Sequence, residues 1–157
     1  MEPAPPPVEL LRTSRDGDLA TVKRLVEELR IDTQSCRDEH GATPLHWAAH
    51  NGHLATVRYL VEERSCGVIC RDKYGSTPLH WAAVGGKLDT VQYLISEQGC
   101  DPMCRGRYSR TPLHNACQEG HLDVIKYVID DQKVDPSCQD EEGRTPLHIR
   151  HCSGTEL

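Results

Sequence analysis

"TPLHWAAHNGHLATVRYL" runs from Thr43 to Leu60 and "TPLHWAAVGGKLDTVQYL" from Thr77 to Leu94, so nearly the same text is written twice at a spacing of 34 residues. Its opening tetrapeptide occurs four times, at Thr43–His46, Thr77–His80, Thr111–His114 and Thr145–His148, each copy 34 residues after the last. At average residue usage such a match arises about once in 10⁵ positions, so four in register mark an internal repeat.

Each copy carries its own folding instructions. The Thr hydroxyl can cap a helix, and Pro suits the first helical position because its missing N–H would be unpaired there anyway. Gly52, Gly86 and Gly120 lie six residues past the His, where a left-handed residue ends that helix. Leu54, Val57, Leu60 and Val61 recur as Leu88, Val91, Leu94 and Ile95, and again as Leu122, Ile125, Val128 and Ile129. These offsets place them on one face of a second helix. "CRDKYGS" (Cys70–Ser76) and its relatives combine Asp and Gly with polar residues and read as tight turns. The unit is helix, turn, helix and a hairpin-like finger.

"GATPLHWAAHNGH" at Gly41–His53 closely resembles the ankyrin repeat, whose hallmark is a Gly-x-Thr-Pro-Leu-His-x-Ala-Ala-x-x-Gly-His run within a period of about 33 residues. The resemblance implies an all-α solenoid of helix-turn-helix units joined by β-hairpin-like fingers, with full repeats at 38–71, 72–105 and 106–139. Residues 1–7 form a Pro-rich leader. Residues 8–37 read as an N-terminal capping repeat in which Val8, Glu9, Leu10 and Leu11 replace Thr-Pro-Leu-His. Residues 140–157 read as an incomplete C-terminal repeat that stops before its second helix. Solenoids ordinarily finish in a unit with a polar outer face, so the unfinished unit fits either a fraying end or a regulatory fragment of a larger signalling, channel or scaffold protein.

Composition bounds the rest. The 157 residues are 37% hydrophobic and 27% charged, ordinary for one soluble domain. No stretch approaches the roughly 18 apolar residues of a membrane span, and "MEPAPPPVEL" lacks the basic start and apolar run of a signal peptide. Cytosol or nucleus is the expected compartment. The net charge of -6 opposes diffuse binding to nucleic acid.

The residue types that carry chemistry are plentiful but badly placed for it. Stacked helices lie about 8–10 Å apart and Zn–N bonds measure about 2 Å, so His46, His80, His114 and His148 cannot converge on one ion. The resemblance gives them a structural hydrogen-bonding role beside the Thr. Thr43, Pro44, Leu45 and His46, Thr77, Pro78, Leu79 and His80, and Thr111, Pro112, Leu113 and His114 are thus structural residues. Cys36, Cys70, Cys104 and Cys138 are also spaced by 34, one per unit, too far apart for disulfides, and behave as small apolar residues. Cys66 with Cys70 and Cys100 with Cys104 form Cys-x3-Cys pairs, the weak basis for an alternative thiol or zinc-binding reading. No phosphate-cradling Gly-rich loop and no nucleophile–base pair emerges, so no enzyme, cofactor, metal or small-molecule substrate is expected.

The resemblance implies a protein-protein interaction module, expected to be monomeric, whose partner lies in a concave groove formed by finger tips and first helices. Transferred to this sequence, the partner-binding positions are Glu39, His40, His50 and Asn51, then Lys73, Tyr74 and Ser76, then Arg107, Tyr108, Arg110, Gln118 and Glu119. Ala42, Val84 and Gly85 share the same surface. Tyr and Arg are enriched in binding hot spots, and Lys73, Tyr74, Arg107, Tyr108 and Arg110 are expected to dock an acidic or phosphorylated peptide. Gly106 and Ser109 break the frame of that third finger, where other units have Asp38, Asp72, Gly41 and Gly75. Trp47 and Trp81 fit core or groove-floor packing or partner contact. Pro3–Pro7 reads as a polyproline ligand or a stiff leader, and "GTEL" at Gly154–Leu157 resembles a PDZ ligand.

Overall fold

The computed structural model describes residues 2–152, so the C-terminal "GTEL" lies outside the described residues. Helices come in pairs: α1 (Pro6–Asp16) with α2 (Leu19–Glu28), α3 (Pro44–His50) with α4 (Leu54–Arg58), α5 (Pro78–Gly85) with α6 (Leu88–Gln92), and α7 (Pro112–Glu119) with α8 (Leu122–Lys126). A last helix, α9 (Pro146–Cys152), opens the fifth unit. α1 starts at Pro6, so Pro6 and Pro7 occupy its first turn, where a missing N–H is tolerated. α4, α6 and α8 each continue into a π-helical turn, at Tyr59–Glu63, Tyr93–Glu97 and Tyr127–Asp131, a widening the periodicity did not announce.

The inner helices α1, α3, α5, α7 and α9 pack side by side in chain order, while the outer helices touch one another more sparsely. Small residues allow this. Ala48 and Ala49, Ala82 and Ala83, and Ala116 and Cys117 are buried along the inner row. The approach is tightest between α3 and α5: a Cβ on Gly85 would lie 2.0 Å from the His50 carbonyl oxygen, so only glycine fits. Gly52, Gly86 and Gly120 end the first helices with φ of 71°, 68° and 78°.

The core is a continuous strip. Leu10, Leu45, Leu79 and Leu113 are buried at equivalent inner positions, and Val57, Leu60, Val91, Leu94 and Val128 meet them from the outer helices. The second-helix face keeps Val57, Leu60, Val61, Val91, Leu94, Ile95 and Val128 of its expected stripe buried and extends beyond that stripe on one side. Leu54, Leu88 and Ile125 are half-buried and Leu122 is 49% exposed, whereas Thr56, Thr90 and Val124, one position apart from the expected stripe, are buried. Tyr59, Tyr93 and Tyr127 are buried too, with hydroxyls held by Glu27, Glu62 and Ser96 of the preceding unit.

Between units the fingers are closed turns, and no strand is present among the described residues. Asp38 and Gly41 set the pattern: the Asp38 N–H donates to the Ala42 carbonyl and the Gly41 N–H to the Asp38 carbonyl, both at 3.0 Å.

Leu79 is 0% exposed whereas Leu147, its counterpart in the last described helix, is 63% exposed. Leu79→Ala is expected to cost about 2–5 kcal/mol, and Leu147→Ala less than about 0.5 kcal/mol, in urea unfolding. Equal costs would contradict the assigned core.

Candidate functional site

The finger surface is positioned by the histidine of each Thr-Pro-Leu-His run. In the first full unit, His46 Nδ1 accepts the Thr43 backbone N–H at 3.1 Å and lies 2.9 Å from its hydroxyl. Nε2, on the other edge of the ring, donates to the Ser76 carbonyl of the next finger at 3.0 Å. His80 does the same with Thr77 and the Arg110 carbonyl (3.1 Å), and His114 with Thr111 and the Arg144 carbonyl (3.1 Å). An accepting Nδ1 and a donating Nε2 describe a neutral imidazole. Burial lowers the pKa of His46 and His114, and pushes that of His80 down to about 4.

A second ladder was invisible until the fingers were placed. Arg37 Nη1 donates to the Gly41 carbonyl of its own finger and the Arg71 carbonyl of the next, both at 2.8 Å. Arg71 repeats this with Gly75 and Arg105, and Arg105 with Ser109 and Gln139. Their spacing of 34 is the signal that could have revealed them. His53 and His121 likewise reach back, each Nε2 lying 2.8 Å from a carbonyl of the preceding unit, Arg15 and Val84 respectively.

An aspartate organises most finger tips. Asp38 Oδ1 accepts the N–H groups of His40 and Ala42, and its Oδ2 accepts Trp47 Nε1 at 2.9 Å. Asp72 serves Tyr74, Ser76 and, at 3.0 Å, Trp81. Trp47 and Trp81 are half-buried and meet edge to face at 5.0 Å, forming part of the groove floor. In the third finger Gly106 and Asn115 stand at these positions. Its turn keeps the same closing hydrogen bonds, Gly106 N–H to Arg110 and Ser109 N–H to Gly106. Ser109 (φ 57°) takes the left-handed setting that glycine holds elsewhere, and Tyr108 (φ 56°) adds a second such residue.

The sequence-derived partner residues divide by what they touch. Lys73 Nζ donates to the Glu39 carbonyl and its N–H to His40. The Arg107 guanidinium lies 4.5 Å from the Tyr74 ring and 4.7 Å from the Tyr108 ring, and donates to the Tyr108 hydroxyl. Its backbone N–H reaches Ser76 Oγ at 3.5 Å. Tyr74 and Tyr108 remain 44% and 42% exposed, and the Glu39 side chain lies open.

Arg110 is differently occupied. Its Nε faces the buried carboxylate of Asp140 at 3.4 Å and its Nη1 donates to Gln118, which in turn donates to Glu119. Position 149 is Ile, with no side-chain N–H to offer, so Asp140 Oδ2 receives Arg110 and Arg144 instead of a tryptophan. Burial opposes the Asp140 charge, but N–H groups of Arg144 and Glu142 and both guanidinium groups hold its pKa below the usual value. Asn51 donates to the Arg15 carbonyl and thereby ties down the first unit. His50 stacks near Trp47 and meets Trp81 edge-on.

Cys36, Cys66, Cys70, Cys100, Cys104 and Cys138 are free thiols, and burial pushes Cys66 and Cys100 up to about 11. Those two thiols are protonated at neutral pH and poor nucleophiles.

Stack, latch and fingers together define a helical repeat solenoid that displays side chains of successive units along one groove. The chain belongs to the ankyrin repeat family: the description of ankyrin repeats in three copies matches residues 10–106, and that of many copies matches 97–149. It is 38% identical over 58 residues to a 26S proteasome non-ATPase regulatory subunit 10 of Dictyostelium discoideum, covering 37% of this chain and 25% of that one. It is 48% identical over 52 residues to ankyrin repeat domain-containing protein 49 of Bos taurus, covering 33% and 21%. A palmitoyltransferase of Yarrowia lipolytica matches at 43% over 54 residues, covering 34% of this chain but 8% of the enzyme. The aligned stretch thus spans a quarter or less of each of these relatives.

Between the ordinary histidine pKa of 6.5 and the value of about 4 for His80, the unfolded chain takes up a proton that the folded chain refuses. Acid therefore favours unfolding across that window. Thermal stability is expected to be full above pH 6.5 and to fall as the pH drops towards 4, and His80→Ala to cost about 1–3 kcal/mol at pH 7 while flattening that fall. An acid profile unaltered by the substitution would contradict the assignment.

Proposed function

We propose that the protein is a non-catalytic interaction module that binds an acidic or phosphorylated protein segment along the groove between finger tips and inner helices. One observation carries this reading. Among the described residues, no carboxylate lies within ion-pair distance of Arg37, Arg71, Lys73, Arg105 or Arg107, although the chain as a whole has a net charge of -6. The second and third fingers carry Arg71, Lys73, Arg105, Arg107 and Arg110 against Asp72 alone, a local cationic surface of the kind that steers and orients an anionic partner.

Lys73, Tyr74, Arg107 and Tyr108 supply the contacts, because all four are exposed at the finger tips. Arg71 and Arg105 add charge from the finger flanks. Arg110 supports the surface by holding Asp140 and Gln118 rather than by meeting the partner. A reducing compartment, cytosol or nucleus, fits the free thiols.

The test is fluorescence anisotropy with a labelled peptide of alternating Glu and Ser, beside its phosphoserine version. Arg107→Glu is expected to weaken binding about tenfold or more, and added salt to weaken it further. Binding that is indifferent to both would overturn the reading. Phosphate and carboxylate are separated by whichever peptide binds more tightly.

A further inference from the structure

The third repeat departs from its neighbours at two positions that belong together. Asp38 with Trp47 and Asp72 with Trp81 are hydrogen-bonded pairs nine residues apart; at the same two places the third unit has Gly106 and Asn115. Both members of the pair are gone. The aromatic row Trp47, His50, Trp81 therefore stops at α7, where a third indole would have continued it.

What takes the indole's place is space. A groove of about 290 Å³ lies there, walled by Trp47, His50, Trp81, Val84 and Asn115, with Ser76 and His80 at its finger edge. Small-molecule pockets run to about 300–1,000 Å³, so this one suits a single large side chain better than a whole ligand. A cation is next door: Ser76 Oγ at the groove's edge meets the backbone N–H of Arg107, whose side chain is exposed at the finger tip.

We infer that this groove takes an aromatic side chain from the acidic partner segment, completing the edge-to-face row begun by Trp47 and Trp81 while Arg107 and Lys73 hold the flanking carboxylates or phosphates. The inference rests on the function proposed above and names the anchor that function needs for specificity. Charge alone recognises any anionic chain; a desolvated aromatic anchor beside the charge selects one.

Two labelled acidic peptides, identical except for a central Trp or Ala, separate the two levels. The Trp peptide is expected to bind about tenfold or more tightly than the Ala peptide. Asn115→Trp, which writes the unit-one and unit-two residue into the third unit, is expected to remove that preference while keeping the binding that Arg107 supports. Val84→Glu, which places a carboxylate in the groove wall, is expected to do the same and serves if the first variant folds poorly by circular dichroism. Equal binding of the Trp and Ala peptides, still lost on Arg107→Glu, overturns the anchor and leaves the acidic-partner function standing. No binding of either peptide overturns both. Self-association of the wild type that Asn115→Trp abolishes, read by sedimentation, assigns the groove to a second copy and also overturns the anchor.

Discussion

A single imidazole in each repeat joins two structures that would otherwise be independent. On one side His46, His80 or His114 completes the cap of its own helix by accepting the Thr N–H; on the other it donates to a carbonyl of the next finger. The first bond is buried and the second partly so, and the imidazoles themselves are buried, so losing either bond would leave a ring nitrogen unpaired away from water. The distance between units follows from this link. So does the order of the inner helices, because each finger is tied to the helix before it.

With the spacing fixed, the remaining side chains fall into two populations. Those facing the stack repeat with little change: the leucines, the alanine pairs, the arginines that hold finger carbonyls. Those at the finger tips vary, since no neighbour dictates them. The third finger shows how far this freedom extends. It drops the aspartate cap, places Tyr108 and Ser109 in the left-handed region, and still closes with the same pair of backbone bonds. The arginine ladder beside it supports the turn from outside, through Arg105 and the Ser109 carbonyl.

Much of this was legible in the sequence because the repeat is so regular. Thr-Pro-Leu-His, the glycine six residues on and the apolar spacing gave the helix pairs directly. The second-helix face is wider than apolar spacing indicates: Val57, Leu60, Val91, Leu94 and Val128 are buried as the spacing predicts, and Thr56 and Thr90, which look polar, sit in the core beside them. Tyr59, Tyr93 and Tyr127 are not legible as core residues for a similar reason, since their hydroxyls find partners both in the preceding unit and in Arg64, Gln98 and Gln132 of their own. The finger surface was half legible. Residue types marked Arg107, Tyr74 and Tyr108, but only the fold reveals that Arg110 is held by Asp140, whose own position is ordinary in sequence and buried in structure. The paired replacement of Asp and Trp by Gly106 and Asn115 is plain in the sequence. Its meaning needed the bond between Asp38 and Trp47, which no spacing announces.

The state of the bridging imidazoles is open to direct observation by nitrogen-detected NMR of the histidine rings. The structure requires His46, His80 and His114 to be neutral at pH 7, each with its proton on Nε2 and that proton slow to exchange with water. Rings carrying the proton on Nδ1, or charged imidazolium at that pH, would contradict the link on which the stack is built.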